Sequence, residues 1–208
     1  MKVRVLLSRD VAFFYWLQVI SGWDKTAAVD KVTYDYYSSF IDDNIKSVLL
    51  KIRRIINSHD NPRNFLQLLY SGDVSDDREA RELIEISNDL RRYFDVLWSD
   101  CFSSLEAWLH ALEKYDFDRF DDSISRITRF MESSFDHERE QNVYLLPNTP
   151  SEGTIGHKIK GGDFILLRPP LQYSDDKLNR AVCVIVHELL HDVEFLSNVT
   201  RVYMKQSY

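Results

Sequence analysis

The residues with the clearest chemical meaning form the segment His187-Glu188-Leu189-Leu190-His191. In a helix, residues four positions apart lie on one face, so both imidazoles can reach a single metal ion. Neutral imidazole is a good zinc ligand, and a neighbouring carboxylate can take a proton from water that the metal activates. We therefore predict that His187 and His191 bind Zn²⁺ and that Glu188 is the general base of a hydrolase.

The surroundings of this segment resemble those of the zincin metallopeptidases, a superfamily that shares the H-E-x-x-H motif. Val184 and Val193 match its apolar setting, whereas Asp192 departs from it because that position is normally uncharged. The resemblance covers about residues 140–200 and is gluzincin-like, although the subgroup stays open. It implies a zinc-dependent peptidase in which Glu188 activates water and then passes the proton to the leaving amine.

The third zinc ligand is not obvious from the motif. A catalytic zinc usually has three protein ligands, yet the chain contains no Asp, Glu, His or Cys after Glu194. Glu194 lies on the same helix face as both histidines and is our predicted third ligand. Because about 10 Å of helical rise separates it from His187, direct ligation requires the helix to break after His191.

Other donors are alternatives to Glu194. One lies beside the motif and four lie upstream of it: Asp192, Glu152, His157, His137 and Glu138. His157 is of most interest because its glycine-rich loop precedes a predicted strand. A site with only the two histidines, or a natural chain that continues beyond Tyr208, are further alternatives.

The elements that must position these residues begin where the chain changes character, near Gln141. Residues 142–146 and 162–168 are predicted strands, separated by a loop or wide hairpin rich in glycine and proline. Ser174 or Asp175 is expected to cap the helix that carries the motif. The resemblance implies that residues 163–168 form the edge strand, which holds an extended peptide or protein substrate by backbone hydrogen bonds.

Upstream of this part, helices are predicted almost throughout. The alternation over Lys2–Leu7 predicts a first strand, which can join the C-terminal sheet. The apolar run Val11–Leu17 predicts a helix buried on most sides, and apolar periodicity over residues 24–138 predicts a helical bundle.

The expected fold class is therefore α+β. A mainly helical body, residues 1–140, precedes a small zincin-like sheet and the motif helix in residues 141–208. No disordered linker separates them, so the two parts are expected to be able to form one compact unit.

Composition limits the partners. A formal net charge of −7 without a basic run argues against nucleic-acid binding. The run Val11–Leu17 is too short to span a bilayer, so no membrane partner is expected. Two cysteines without a C-x-x-C pair suit a reducing cytoplasm. Cys101 and Cys183 both fall at apolar positions of helical segments, where we expect small buried side chains.

The incomplete ligand set leaves a second functional hypothesis. The chain could be a non-catalytic protein-binding or regulatory module with a degenerate or truncated zincin site. A purely structural zinc site is a weaker alternative, because such sites are usually closed by four Cys or His ligands.

Overall fold

The structure is a computed structural model that describes residues 2–22, 31–58, 65, 68–70, 72, 76–130, 135–158 and 164–191. The described chain forms one mixed sheet with strands β1 (Lys2–Leu6), β2 (Glu140–Leu145), β3 (Ile155–Lys158) and β4 (Phe164–Arg168). It also forms seven α-helices: α1 (Arg9–Ile20), α2 (Lys31–Ser38), α3 (Lys46–Ser58), α4 (Arg78–Ser87), α5 (Arg91–Glu113), α6 (Asp121–Phe130) and α7 (Asp175–Leu190). The fold class is therefore mixed α+β.

The sheet places β4 in its interior. The strand order is β1-β2-β4-β3, in which β1, β2 and β4 are parallel and β3 is antiparallel to β4. The prediction that residues 163–168 form an edge strand is wrong, because residues 155–158 form β3 and cover the outer side of β4. Ile165, Leu166 and Leu167 are buried in succession, as is typical of a strand covered on both faces.

Helix α1 is buried along almost its whole length, as its apolar run predicts. The hydroxyl of Ser8 accepts a hydrogen bond from the Val11 N–H and caps the helix, and the ten residues Val11–Ile20 are all buried. Gln18 is polar, but its Oε1 accepts a 2.7 Å hydrogen bond from the Tyr70 hydroxyl. The chain leaves α1 through Gly22, whose positive φ of 61° suits glycine.

The helical bundle is divided into shorter helices than apolar periodicity alone predicts. The polar cluster Asp42–Asn44 predicts a bend or break, and a short 3₁₀ helix, Asp43–Ile45, lies there between α2 and α3. A second 3₁₀ segment separates α4 from α5. Apolar spacing predicts a helix from Asp118 to about His137, but His137 lies in a turn. The Asp136 carboxylate accepts the backbone N–H groups of the two residues after His137, which favours a turn over a helix.

Buried hydrogen bonds join the helices to the loops that follow the parallel strands. The Tyr37 hydroxyl of α2 donates to the Pro147 carbonyl, just after β2. The indole Nε1 of Trp108 on α5 donates to the Pro170 carbonyl, just after β4, at 3.0 Å. Because buried phenol and indole groups need such partners, these bonds fix where each strand ends.

Helix α7 begins at Asp175, four loop residues after Pro170. The Ser174 hydroxyl caps it by accepting the Lys177 N–H, as predicted. Its apolar face packs against β3 and β4 through four buried residues: Ala181, Val182, Ile185 and Leu189. None of the helices in the described ranges combines the length and apolar character needed to cross a membrane.

The two cysteines differ in exposure. Cys101 is fully buried on α5, whereas Cys183 is exposed, so the prediction that both are buried is wrong for Cys183. Cys183 follows the buried Val182 on α7 and falls on the solvent side of the helix. Burial raises the pKa of the Cys101 thiol to about 12, which suppresses the reactive thiolate.

We expect one of the two thiols to react with Ellman's reagent in the native protein at pH 8 and both to react in denaturant. Cys101 should react at least about 100-fold more slowly in the native chain than in the unfolded one, because its thiolate is scarce and enclosed. A Cys183→Ser variant should show no fast phase. Fast reaction in that variant would contradict the burial of Cys101.

Candidate metal centre

The two motif histidines lie at the C-terminal end of α7. His187 occupies the last turn, and His191 is the C-cap residue, whose N–H donates to the Glu188 carbonyl at 3.2 Å. Both side chains are exposed. The C-terminal end of a helix carries partial negative charge, so a cation is favoured there.

The geometry of the two imidazoles suits a tetrahedral metal ion. The Nε2 atoms of His187 and His191 are 3.2 Å apart, and the ring planes are 82° apart. Two nitrogen ligands at the usual Zn–N distance of about 2.0–2.1 Å in a tetrahedral site are separated by about 3.3–3.4 Å. The observed separation of the two nitrogens is within a few tenths of an ångström of that value.

Glu188 lies beside the histidines and contacts the edge of the sheet. Its Oε2 accepts a 3.0 Å hydrogen bond from the backbone N–H of Lys158 on β3. The ligand atoms of Glu188 and both histidines all lie within 4.8 Å of one another, the sole such trio among the described residues. The three motif residues are thus brought together, with the carboxylate half-buried beside the two histidines and β3.

Gly156 permits this close approach of α7 to β3. A Cβ atom at Gly156 would overlap the Val184 side chain and lie 3.0 Å from the Glu188 Cγ. Any larger residue would therefore displace the helix or the carboxylate. Sequence reasoning missed this residue, although an isolated glycine in a short strand signals a close backbone approach.

Two of the candidate third ligands cannot be placed. Glu194 and Asp192 lie outside the described residues, which end at His191 in this part of the chain. The structure does show that α7 ends at Leu190, before either of these residues.

Three upstream candidates have other partners. The Glu152 carboxylate forms a 2.6 Å ion pair with Lys177, and the Glu138 carboxylate forms one of the same length with Lys2. His137 uses both ring nitrogens in hydrogen bonds to α6. None of the three joins the His187–His191 pair.

His157 follows Gly156 on β3, but its side chain lies on the other face of the sheet. Successive side chains of a strand point to opposite faces. The Cβ position of Gly156 faces α7, so the side chain of His157 faces away from it. His157 therefore does not complete the cluster in this conformation.

Comparison with known proteins adds no relative. No family model matches the chain, and no curated protein or solved structure is significantly similar to it. The interpretation of the site therefore depends on its own geometry.

We expect Gly156→Ala to lower the free energy of unfolding by about 1–3 kcal/mol, because the added methyl overpacks the contact with Val184 and Glu188. Urea denaturation followed by circular dichroism measures the change. Gly153→Ala is the matched control, since its Cβ would meet only the Ser151 hydroxyl, at 3.9 Å. Equal effects of the two substitutions would show that the helix does not depend on the absence of a side chain at 156.

Proposed function

We propose that this protein is a zinc-dependent peptidase with His187 and His191 as zinc ligands and Glu188 as general base. The observation that supports it best is the convergence of the two Nε2 atoms at 3.2 Å with the Glu188 carboxylate beside them. Two neutral imidazoles and an adjacent carboxylate match the donor chemistry of zinc hydrolases.

Each residue has a defined task in this proposal. Zinc, when bound, supplies the Lewis acidity that activates water and polarises the scissile carbonyl. Glu188 takes the proton of the attacking water and delivers it to the leaving amine. The Lys158 N–H donates to Oε2 of Glu188 and so orients the carboxylate.

Glu194 remains the proposed third ligand. Direct ligation needs the chain to change direction after His191, and the end of α7 at Leu190 supports such a change. The rise of about 10 Å that a continuous helix would place between His187 and Glu194 would then not apply. The proposed compartment is the cytoplasm, on the grounds of the cysteine content.

The proposed substrate is an extended peptide, and β3 replaces residues 163–168 as the strand that would hold it. β3 is at the margin of the sheet and adjoins α7, and its Lys158 N–H points out of the sheet toward Glu188. Backbone groups with this orientation can pair with an added strand.

One observation favours the second candidate, a non-catalytic binding or regulatory module. Oε2 of Glu188 already accepts a hydrogen bond from the Lys158 N–H of the edge strand. The proposed general base is therefore paired with a backbone group that a bound peptide would also need. In a module without catalysis, this bond would be a structural link between α7 and β3.

Metal analysis tests the site. We expect about one zinc per chain in protein purified without chelator, and loss of more than about 100-fold in affinity in His187→Ala and in His191→Ala. Removing a ligand should exceed the 10–100-fold cost of removing an outer-shell partner. His110→Ala is the matched control, because His110 is exposed on α5 and pairs with Glu113. A wild-type protein without zinc, or equal loss in the control, would refute the site.

Glu188→Gln separates the two candidate functions. The amide preserves the size of the side chain and an oxygen for the Lys158 N–H, but it cannot take a proton. We expect zinc to be retained and cleavage of a peptide library to fall by about 10²–10⁴-fold. Zinc-loaded wild type without peptidase activity would favour the binding module, and loss of zinc in Glu188→Gln would make Glu188 a ligand.

A further inference from the structure

A second cluster of reactive side chains lies between α6 and the turn before β2. The Nδ1 atom of His137 is 3.0 Å from Oδ1 of Asp121, and its Nε2 atom is 3.2 Å from the hydroxyl oxygen of Ser125. A carboxylate, an imidazole and a hydroxyl are thus connected in one row. The cluster is separate from the proposed zinc site, which lies at the C-terminal end of α7.

The hydrogen bonds determine the tautomer of the neutral imidazole. An ionised carboxylate can only accept, so Nδ1 of His137 must carry the proton and donate it to Asp121. Nε2 of the same ring then has a free lone pair and accepts the hydroxyl proton of Ser125. This arrangement makes His137 a base for the hydroxyl, which is the first requirement for a nucleophilic serine.

Local structure holds the three groups together. Asp121 and Ser125 are one helical turn apart on α6 and therefore share a face. The Phe135 ring packs edge-on against the His137 ring, with centroids 5.0 Å apart. His137 and Asp121 are 30% and 37% exposed, so the cluster is sheltered yet reachable from solvent.

The ionisation of Asp121 agrees with this arrangement. Partial burial raises the pKa of the carboxyl group, but hydrogen bonds, including the one from His137, outweigh burial and hold the pKa below its ordinary value. Asp121 is thus a carboxylate at neutral pH and can keep the imidazole in the tautomer described above.

We propose that Ser125 is a nucleophile for acyl transfer, with His137 as its general base and Asp121 as a positioning residue, acting on small activated carboxylic esters. The Ser125 oxygen forms a bond to the acyl carbon while its proton passes to Nε2 of His137. The ester C–O bond then breaks, and the leaving alcohol takes that proton. Water, deprotonated by the same imidazole, subsequently releases the acid and restores Ser125.

Stabilisation of the oxyanion sets the expected rate. The backbone N–H groups around Ser125 are used in the hydrogen bonds of α6, so they do not stabilise the oxyanion. A side chain must therefore supply the stabilising positive charge. Arg129 follows Ser125 by one turn on the same face and is exposed. A single cation replaces a preorganised pair of donors only in part, so both acylation and deacylation are expected to be slow. Because the activated leaving group assists acylation alone, an acylated serine is expected to accumulate.

Labelling with a fluorophosphonate tests the proposal in the full-length protein. The reagent loses fluoride as the serine oxygen bonds to phosphorus, and peptide mass spectrometry locates the adduct. We expect the adduct at Ser125, no adduct in Ser125→Ala, and a decrease in rate of about 10²-fold or more in His137→Gln. Ser123→Ala is the matched control, because Ser123 is exposed on the same helix.

Asp121→Asn distinguishes positioning from a structural role. An Asn amide can donate to Nδ1, which leaves the Nε2 proton facing Ser125 and removes the base. We expect labelling to fall while the melting temperature and the zinc content stay within error of wild type. Labelling of Ser123 and Ser125 at equal rates, or rates in His137→Gln and Asp121→Asn equal to wild type, would overturn the proposal. The zinc site can fail its own test without affecting this one.

Discussion

A helix that is apolar on every side is the constraint from which the architecture follows. Helix α1 buries ten consecutive residues, so it must be surrounded rather than merely supported, and α2, α5 and β2 all pack against it. Only Leu7 and Ser8 join α1 to β1, and β1 pairs in parallel with β2. Burying this one helix therefore brings β1 into the sheet whose strands β3 and β4 support α7.

The candidate metal centre depends on a second close approach, between α7 and β3. Four apolar residues attach the helix to the sheet, and Gly156 lets its last turn come near enough for Glu188 to reach the Lys158 N–H. The histidines stay on the exposed side of the same turn. One helix end thus presents two imidazoles to solvent and an oriented carboxylate to the strand.

Local features of the site could be predicted from the sequence, and non-local ones could not. The spacing of His187 and His191 specifies their common face because a helix has a fixed period. The position of β4 inside the sheet depends on β3. This strand has only four residues and contains Gly156, so its sequence does not have the pattern of a strand. The helix expected to reach His137 gives way to a turn through the Asp136 side chain, and the contacts of His137 with α6 are tertiary. The apolar periodicity of the sequence gives no indication of these tertiary contacts.

The pairing of β1 with β2 has a consequence for synthesis of the chain on the ribosome. β1 is made before β2, and β2, its only sheet neighbour in the described chain, appears after the helical body has been translated. At typical translation rates this interval is on the order of ten seconds. Throughout it, Lys2–Leu6 has no strand to pair with, so α1 and the early helices must shelter a nascent edge that is prone to aggregation. Contacts of such long sequence separation also slow folding, which makes sheet closure a late event.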